Sequence, residues 1–81
     1  MTDETEIYRG LQEVFAEVFM RDDIALSPTL TAADVSGWTS FKQVELIMAA
    51  EERFGLRFTS AEIDGLRNVG DLVAVVARHL S

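Results

Sequence analysis

The stretch Gly37–Phe54, GWTSFKQVELIMAAEERF, most constrains the fold, because it reads as one amphipathic helix with a marked beginning and end. A small, hydroxyl-bearing turn leads into it, Ser40 stands where that turn becomes helix, and the Ser40 to Gln43 spacing fits a capping box. Gly55 suits the left-handed position that stops a helix. At about 1.5 Å per residue, Ser40–Phe54 spans roughly 22 Å. On a helical wheel Gln43, Leu46, Ile47, Ala50 and Phe54 share one flank, which reads as core. Phe41, Val44, Glu45, Met48 and Glu52 share another, where apolar groups mix with carboxylates as on a surface that meets partners.

A helix of this kind needs partners to cover its apolar side, and the rest of the chain supplies them. Ile7, Leu11, Val14, Phe15, Val18 and Phe19 recur at spacings of three and four, predicting a first helix from Asp3 to about Met20. Thr2 or Asp3 is placed to cap it, with Glu4 and Glu6 complementing its positive end. Gly10 weakens this helix by about 1 kcal/mol relative to Ala without breaking the pattern. From Arg21 to Thr39 the periodicity lapses into a long, Pro28-containing connection, with Ile24, Leu26, Leu30 and Val35 available to pin it. Leu56 and Phe58 flank a short extended link. Thr59 and Glu62 form a capping-box pattern that opens a short third helix through Ala61 and Ile63. Asn68 caps a fourth, with Asp71 in its first turn and Val69, Leu72, Val73, Val76 and Leu80 on its buried face. The expectation is an all-α four-helix bundle, residues 1–81 forming one domain, with a long loop between the first two helices and a short third helix.

Charge and cysteine content narrow the function. Fourteen acidic residues against seven basic ones give a net charge of −7. That balance disfavours nucleic acid and anionic membrane surfaces and favours basic protein patches as partners. Without Cys there is no thiolate for catalysis or metal binding, so any thioester chemistry requires a sulfur from a prosthetic group. The acidic start MTDETE lacks the pattern of a signal peptide, and no apolar run approaches the roughly 18 residues of a membrane span. A cytoplasmic location is the default expectation. Neither an EF-hand spacing nor a phosphate-cradling GxxxxGK[ST] occurs, so no metal or nucleotide site is expected.

Ser40 stands where the first N–H groups of a helix lack intrahelical partners and the dipole is positive, a position that favours phosphate. Capping alone would also explain a Ser there. As an enzymatic nucleophile it would need a base, and the single His, His79, lies at the end of the last helix with no GxSxG elbow around Ser40. Glu45, Glu51 and Glu52 read as a solvated face with some support from Lys42 and Arg53.

The pattern TSFKQVELIMAAEERF resembles the acyl carrier protein and peptidyl carrier protein superfamily. The resemblance implies that Ser40 carries 4′-phosphopantetheine, donated from coenzyme A by a phosphopantetheinyl transferase, and that the chain is a monomeric carrier and not an enzyme. It implies a bundle that presents Thr39, Phe41, Val44, Glu45, Met48, Glu51 and Glu52 to partners. These would be a cargo-loading ligase or acyltransferase and synthase or transferase enzymes with basic docking patches. Cargo would be an acyl or aminoacyl group, with its apolar part sheltered between helices. Two positions depart from the housekeeping fatty-acid pattern: Thr39 stands where Asp usually precedes the modified Ser, and Lys42 stands where an acidic residue often follows. Both remove negative charge beside Ser40, which counts against recognition by the standard fatty-acid enzymes, and Trp38 resembles carriers dedicated to specialised pathways. Trp38 reads equally well as a loop anchor over the core. An unmodified acidic adapter for a basic partner is the alternative function.

Overall fold

A computed structural model describes residues 4–80. Among them are four α-helices, α1 (Glu4–Phe19), α2 (Ser40–Phe54), α3 (Ser60–Asp64) and α4 (Val69–Leu80), and no strand. The expected caps Thr2 and Asp3 lie outside the described residues.

The apolar stripes meet as their spacing predicts. Ile7, Leu11, Val14, Phe15 and Val18 of α1 are buried against Leu46, Ile47 and Ala50 of α2 and against Val69, Leu72, Val73 and Val76 of α4. Each of these Val, Leu, Ile and Phe side chains contributes about 1.5–3 kcal/mol by leaving water, more than any surface pair here. Val75 joins this core, although the periodicity did not single it out. No polar or charged residue is buried among the described residues.

Gly10 has a role that propensity alone does not reveal. A Cβ there would stand 2.7 Å from Cζ of Phe54, so the missing side chain is what lets the end of α2 lie against α1. α1 stops at Phe19, and Met20 takes the left-handed conformation, with φ 54°. The last turn of α1 contains no basic residue, and a cation from another helix serves it: Lys42 Nζ donates to the Val18 carbonyl at 3.1 Å.

The connection 21–39 is tied down at several points. Ile24 and Val35 are buried, and Leu26 and Leu30 pack against the core. Gln12 Nε2 donates to the Ile24 carbonyl at 2.7 Å. A short 3₁₀ turn at Ala32–Asp34, which the periodicity did not predict, is closed by Asp34 accepting from the Thr31 N–H. The Leu30 and Pro28 carbonyls accept from the Val69 and Gly70 N–H groups at 2.9 and 3.0 Å. The loop thus satisfies two of the unpaired donors at the start of α4 with its own backbone.

The second half closes by side-chain caps. Gly55, at φ 68°, ends α2, and Glu51 Oε2 accepts from the Phe58 N–H at 2.8 Å, drawing the link back onto α2. Thr59 and Glu62 form the expected capping box of α3, and Asn68 Oδ1 accepts from the Asp71 N–H at the start of α4. Glu62 also meets His79 Nε2 at 3.0 Å, joining α3 to the last turn of α4. That hydrogen bond, with the Thr59 N–H, holds the Glu62 carboxyl below the usual carboxylate range.

Candidate functional site

Three features converge at the start of α2: an exposed hydroxyl, an unsaturated helix tip and the mouth of a cavity. The turn into the helix is shaped by Gly37, whose φ of 89° suits glycine and whose surroundings are open. Thr39 has extended backbone angles, and its Oγ1 accepts from the Lys42 N–H at 3.3 Å, which makes Thr39 the N-cap. This corrects the Ser40 to Gln43 capping box expected from sequence. Ser40 is the first helical residue, one step inside the cap, because Thr39 already supplies the capping oxygen.

The consequence for Ser40 is direct. It is exposed, and its hydroxyl has no hydrogen-bond partner among the described residues. The Ser40 and Phe41 N–H groups likewise have none there, while Lys42 N–H is held by Thr39 and Gln43 N–H by the Thr39 carbonyl. Two free donors and a positive helix end therefore surround a free oxygen, which suits a phosphodiester attached to that oxygen. The chemistry of the donor set fits a phosphopantetheine arm.

Trp38 and Gln43 build the wall behind it. The Trp38 ring stands edge-on to Phe15 and Phe19, with centroids 5.3 and 5.8 Å away, and its Nε1 donates to Gln43 Oε1 at 2.7 Å. Trp38 is thus a loop anchor over the core, and Gln43 is a half-buried polar residue committed to holding it. Beside them a cavity of about 380 Å³ opens at Ser40 and runs between α2, α3 and α4. Leu46, Ile47, Ile63, Leu66, Val69 and Leu72 give it apolar walls, and Thr39, Gln43, Arg67 and Asn68 also line it. Its size falls within the range of small-molecule sites. The sequence pattern placed these residues on three elements but did not show that they enclose one space.

The outer face of α2 is a separate surface. Phe41, Val44 and Met48 are 79%, 58% and 63% exposed, unusually open for large apolar side chains. Glu45 and Glu52 are exposed beside them. Glu51 differs from its neighbours: it is half-buried, and one of its oxygens is engaged by the Phe58 N–H. Glu45 Oε2 meets Lys42 Nζ at 3.3 Å, so the cation that serves α1 also offsets charge at the edge of this face. His79 does not line the Ser40 cavity, and its ring is occupied with Glu62 and the edge of Phe58.

The chain is similar to known proteins over most of its length. The family model described as "Phosphopantetheine attachment site" matches residues 9–76. An acyl carrier protein of Acidothermus cellulolyticus is 36% identical over 72 residues, covering 89% of this chain and 86% of that protein. The meromycolate extension acyl carrier protein of Mycolicibacterium aurum is 30% identical over 73 residues, covering 90% of this chain and 75% of that protein. The solution structure of a holo acyl carrier protein from Geobacter metallireducens superposes with a TM-score of 0.84 at 33% identity, covering 89% of this chain and 83% of that one. With a fold and a sequence that both match over most of its length, this chain belongs to the phosphopantetheine-attachment family, and it is an acyl carrier protein, not a catalyst.

Proposed function

We propose that Ser40 is the attachment point, and that residues 1–81 act as a single, monomeric carrier domain in the cytoplasm, serving a specialised acyl pathway. The observation that carries the assignment is the Ser40 hydroxyl, exposed and without a hydrogen-bond partner among the described residues, beside two unpaired helix N–H groups at the cavity mouth. When bound, phosphopantetheine supplies the thiol that holds cargo as a thioester. Ser40 Oγ is the oxygen that accepts the arm from coenzyme A. Its own N–H and that of Phe41 orient the phosphate, and the positive end of α2 favours its charge. Leu46, Ile47, Leu66 and Leu72 exclude water from the space into which cargo folds back.

The partners follow from the outer face of α2. Phe41, Val44 and Met48 offer adaptable apolar contact, and Glu45 and Glu52 select basic patches on a phosphopantetheinyl transferase, a loading ligase or acyltransferase, and synthases or transferases. Thr39 belongs to the same surface at the Ser40 end, and Glu51, with one oxygen already engaged, contributes charge at its inner edge. Support for a specialised pathway comes from Thr39 and Lys42, which leave the first turn of α2 without an acidic residue. The likeness to a meromycolate extension carrier points the same way.

Intact mass after incubation with coenzyme A and a broad-specificity transferase tests the assignment. Wild type gains one pantetheinyl phosphate, and Ser40→Ala gains none while keeping its helical circular dichroism. An arm found on Ser40→Ala, or a wild type left unmodified by several transferases, overturns it.

A further inference from the structure

We infer that the cavity beside Ser40 selects acyl chains bearing carbonyl or carboxylate oxygens over plain hydrocarbon chains, with Arg67 as the specificity-determining residue. The inference rests on Ser40 being the attachment point and adds the class of cargo. It begins from which polar groups lining the cavity are already spent.

Gln43 Oε1 faces Trp38 Nε1, which is only a donor, so the amide orientation is dictated and the Gln43 NH₂ is turned away from that bond. Asn68 Oδ1 accepts from the Asp71 N–H, which is also only a donor, and leaves the Asn68 NH₂ over in the same way. Neither NH₂ donates to any partner among the described residues. Thr39 Oγ1, the hydroxyl oxygen at the rim, is taken by the Lys42 N–H. Among the described residues Arg67 is the one charged residue lining the cavity, and it is exposed, at the rim. Its backbone N–H binds Asp71 Oδ2, but its guanidinium has no carboxylate within ion-pair distance among the described residues, in a chain whose net charge is −7.

The amide oxygens of Gln43 and Asn68 are each engaged by the fold, and the polar groups of these lining residues left without a partner are donors. A saturated chain of matching length would cover the half-buried Gln43 and Asn68 NH₂ groups without satisfying them, which costs free energy, while the exposed guanidinium would keep its water and gain nothing. A chain with carbonyl or carboxylate oxygens satisfies the NH₂ groups, and an oxygen on the guanidinium makes a charge-assisted bond. The apolar walls accept the methylenes of either chain, so discrimination falls to the oxygens.

The test mounts octanoyl and 3-oxo-octanoyl cargo on Ser40 of the full chain, transferred with the arm from the matching coenzyme A derivatives. Two readouts are taken. One is the rate of thioester exchange with an excess of a free thiol, which leaves the 3-oxo group intact, each normalised to the free pantetheine thioester. The other is the NMR shift of the Gln43 and Asn68 NH₂ and Arg67 Nε–H signals, with cargo held through a non-hydrolysable amide. In wild type the oxo-chain is protected about tenfold more than the plain chain, the effect of one good charge-assisted hydrogen bond, and the three donor signals move only with the oxo-chain. Arg67→Met keeps the side chain's length, and its backbone N–H still reaches Asp71; there the difference collapses to about twofold or less. Equal protection of both chains in wild type, better protection of the plain chain, or an undiminished difference in Arg67→Met overturns the inference. So does movement of the donor signals in the arm without cargo and no further on loading, which assigns them to the arm's phosphate. If wild type takes up no arm at all, intact mass registers that first, and the attachment assignment falls together with this inference.

Discussion

At the residue scale, single backbone conformations and single hydrogen bonds decide what each side chain is free to do. Ser40 is available because Thr39 caps the helix in its place, so one hydroxyl is consumed by the fold and its neighbour is released. Met20 is the opposite case, a residue whose conformation works against it. It is 89% exposed at φ 54°, so it bears the steric cost of a left-handed backbone and gains almost nothing from burial. Met20→Gly removes that cost and gives back part of it through a looser unfolded chain. The net expectation is a gain of roughly 0.5–1 kcal/mol, or a few degrees in Tm. Thermal unfolding followed by circular dichroism measures it, and a lower Tm would show that Met20 contributes packing that its exposure does not suggest.

At the element scale, the ends of helices are satisfied by segments remote in sequence. Lys42 of α2 serves the carboxyl end of α1, and the Pro28 and Leu30 carbonyls serve the amino end of α4. The second contact depends on Gly70, where a Cβ would stand 2.9 Å from the Pro28 oxygen and 3.2 Å from Asn68 Oδ1. Helix propensity alone makes Gly70→Ala stabilising by about 1 kcal/mol. The clash with a backbone oxygen outweighs it, because relief requires the loop to move and weakens two hydrogen bonds. Gly70→Ala is expected to cost about 1–3 kcal/mol in chemical denaturation and to raise amide exchange at Val69. Gly65→Ala serves as the comparison: its Cβ meets nothing nearer than 3.5 Å, and its effect is expected within about 0.5 kcal/mol of zero. Equal effects of the two would remove the loop contact from the account.

At the scale of the whole molecule, the bundle separates two surfaces around one residue. Ser40 stands at the junction of a mainly apolar cavity that opens beside it and an outer face where apolar side chains alternate with carboxylates. Cargo and partner can therefore be engaged from different sides of α2. Charge on the open face acts mainly on encounter rate, since individual exposed pairs are worth only about 0.2–1 kcal/mol. Replacing Glu45 and Glu52 together by Lys is expected to slow arm transfer by a transferase about tenfold at low salt, with the difference shrinking as ionic strength rises and helicity unchanged. Equal rates at low salt would move the docking surface elsewhere.

Much of this arrangement was legible in the chain before folding. Apolar spacing delimited α2 to the residue, Gly55 marked its end, and the Thr59/Glu62 and Asn68/Asp71 pairs marked the starts of α3 and α4, because all of these rest on contacts within one or two helical turns. Ser40 was legible for the same reason: its position at a helix tip is a local fact. Packing alone decided the rest. Gly10 looked like a weakness until Phe54 came to lie against it. Gln43 passed for core until its oxygen was found holding the Trp38 indole. The cavity is tertiary in the same sense, since Gln43 on α2, Ile63 on α3 and Leu72 on α4 lie on different elements and nothing in their order along the chain says that they share a space. Periodicity reports which side of a helix turns inward; only the closing of helices on one another determines what that side meets, and which polar groups are left with nothing to bind.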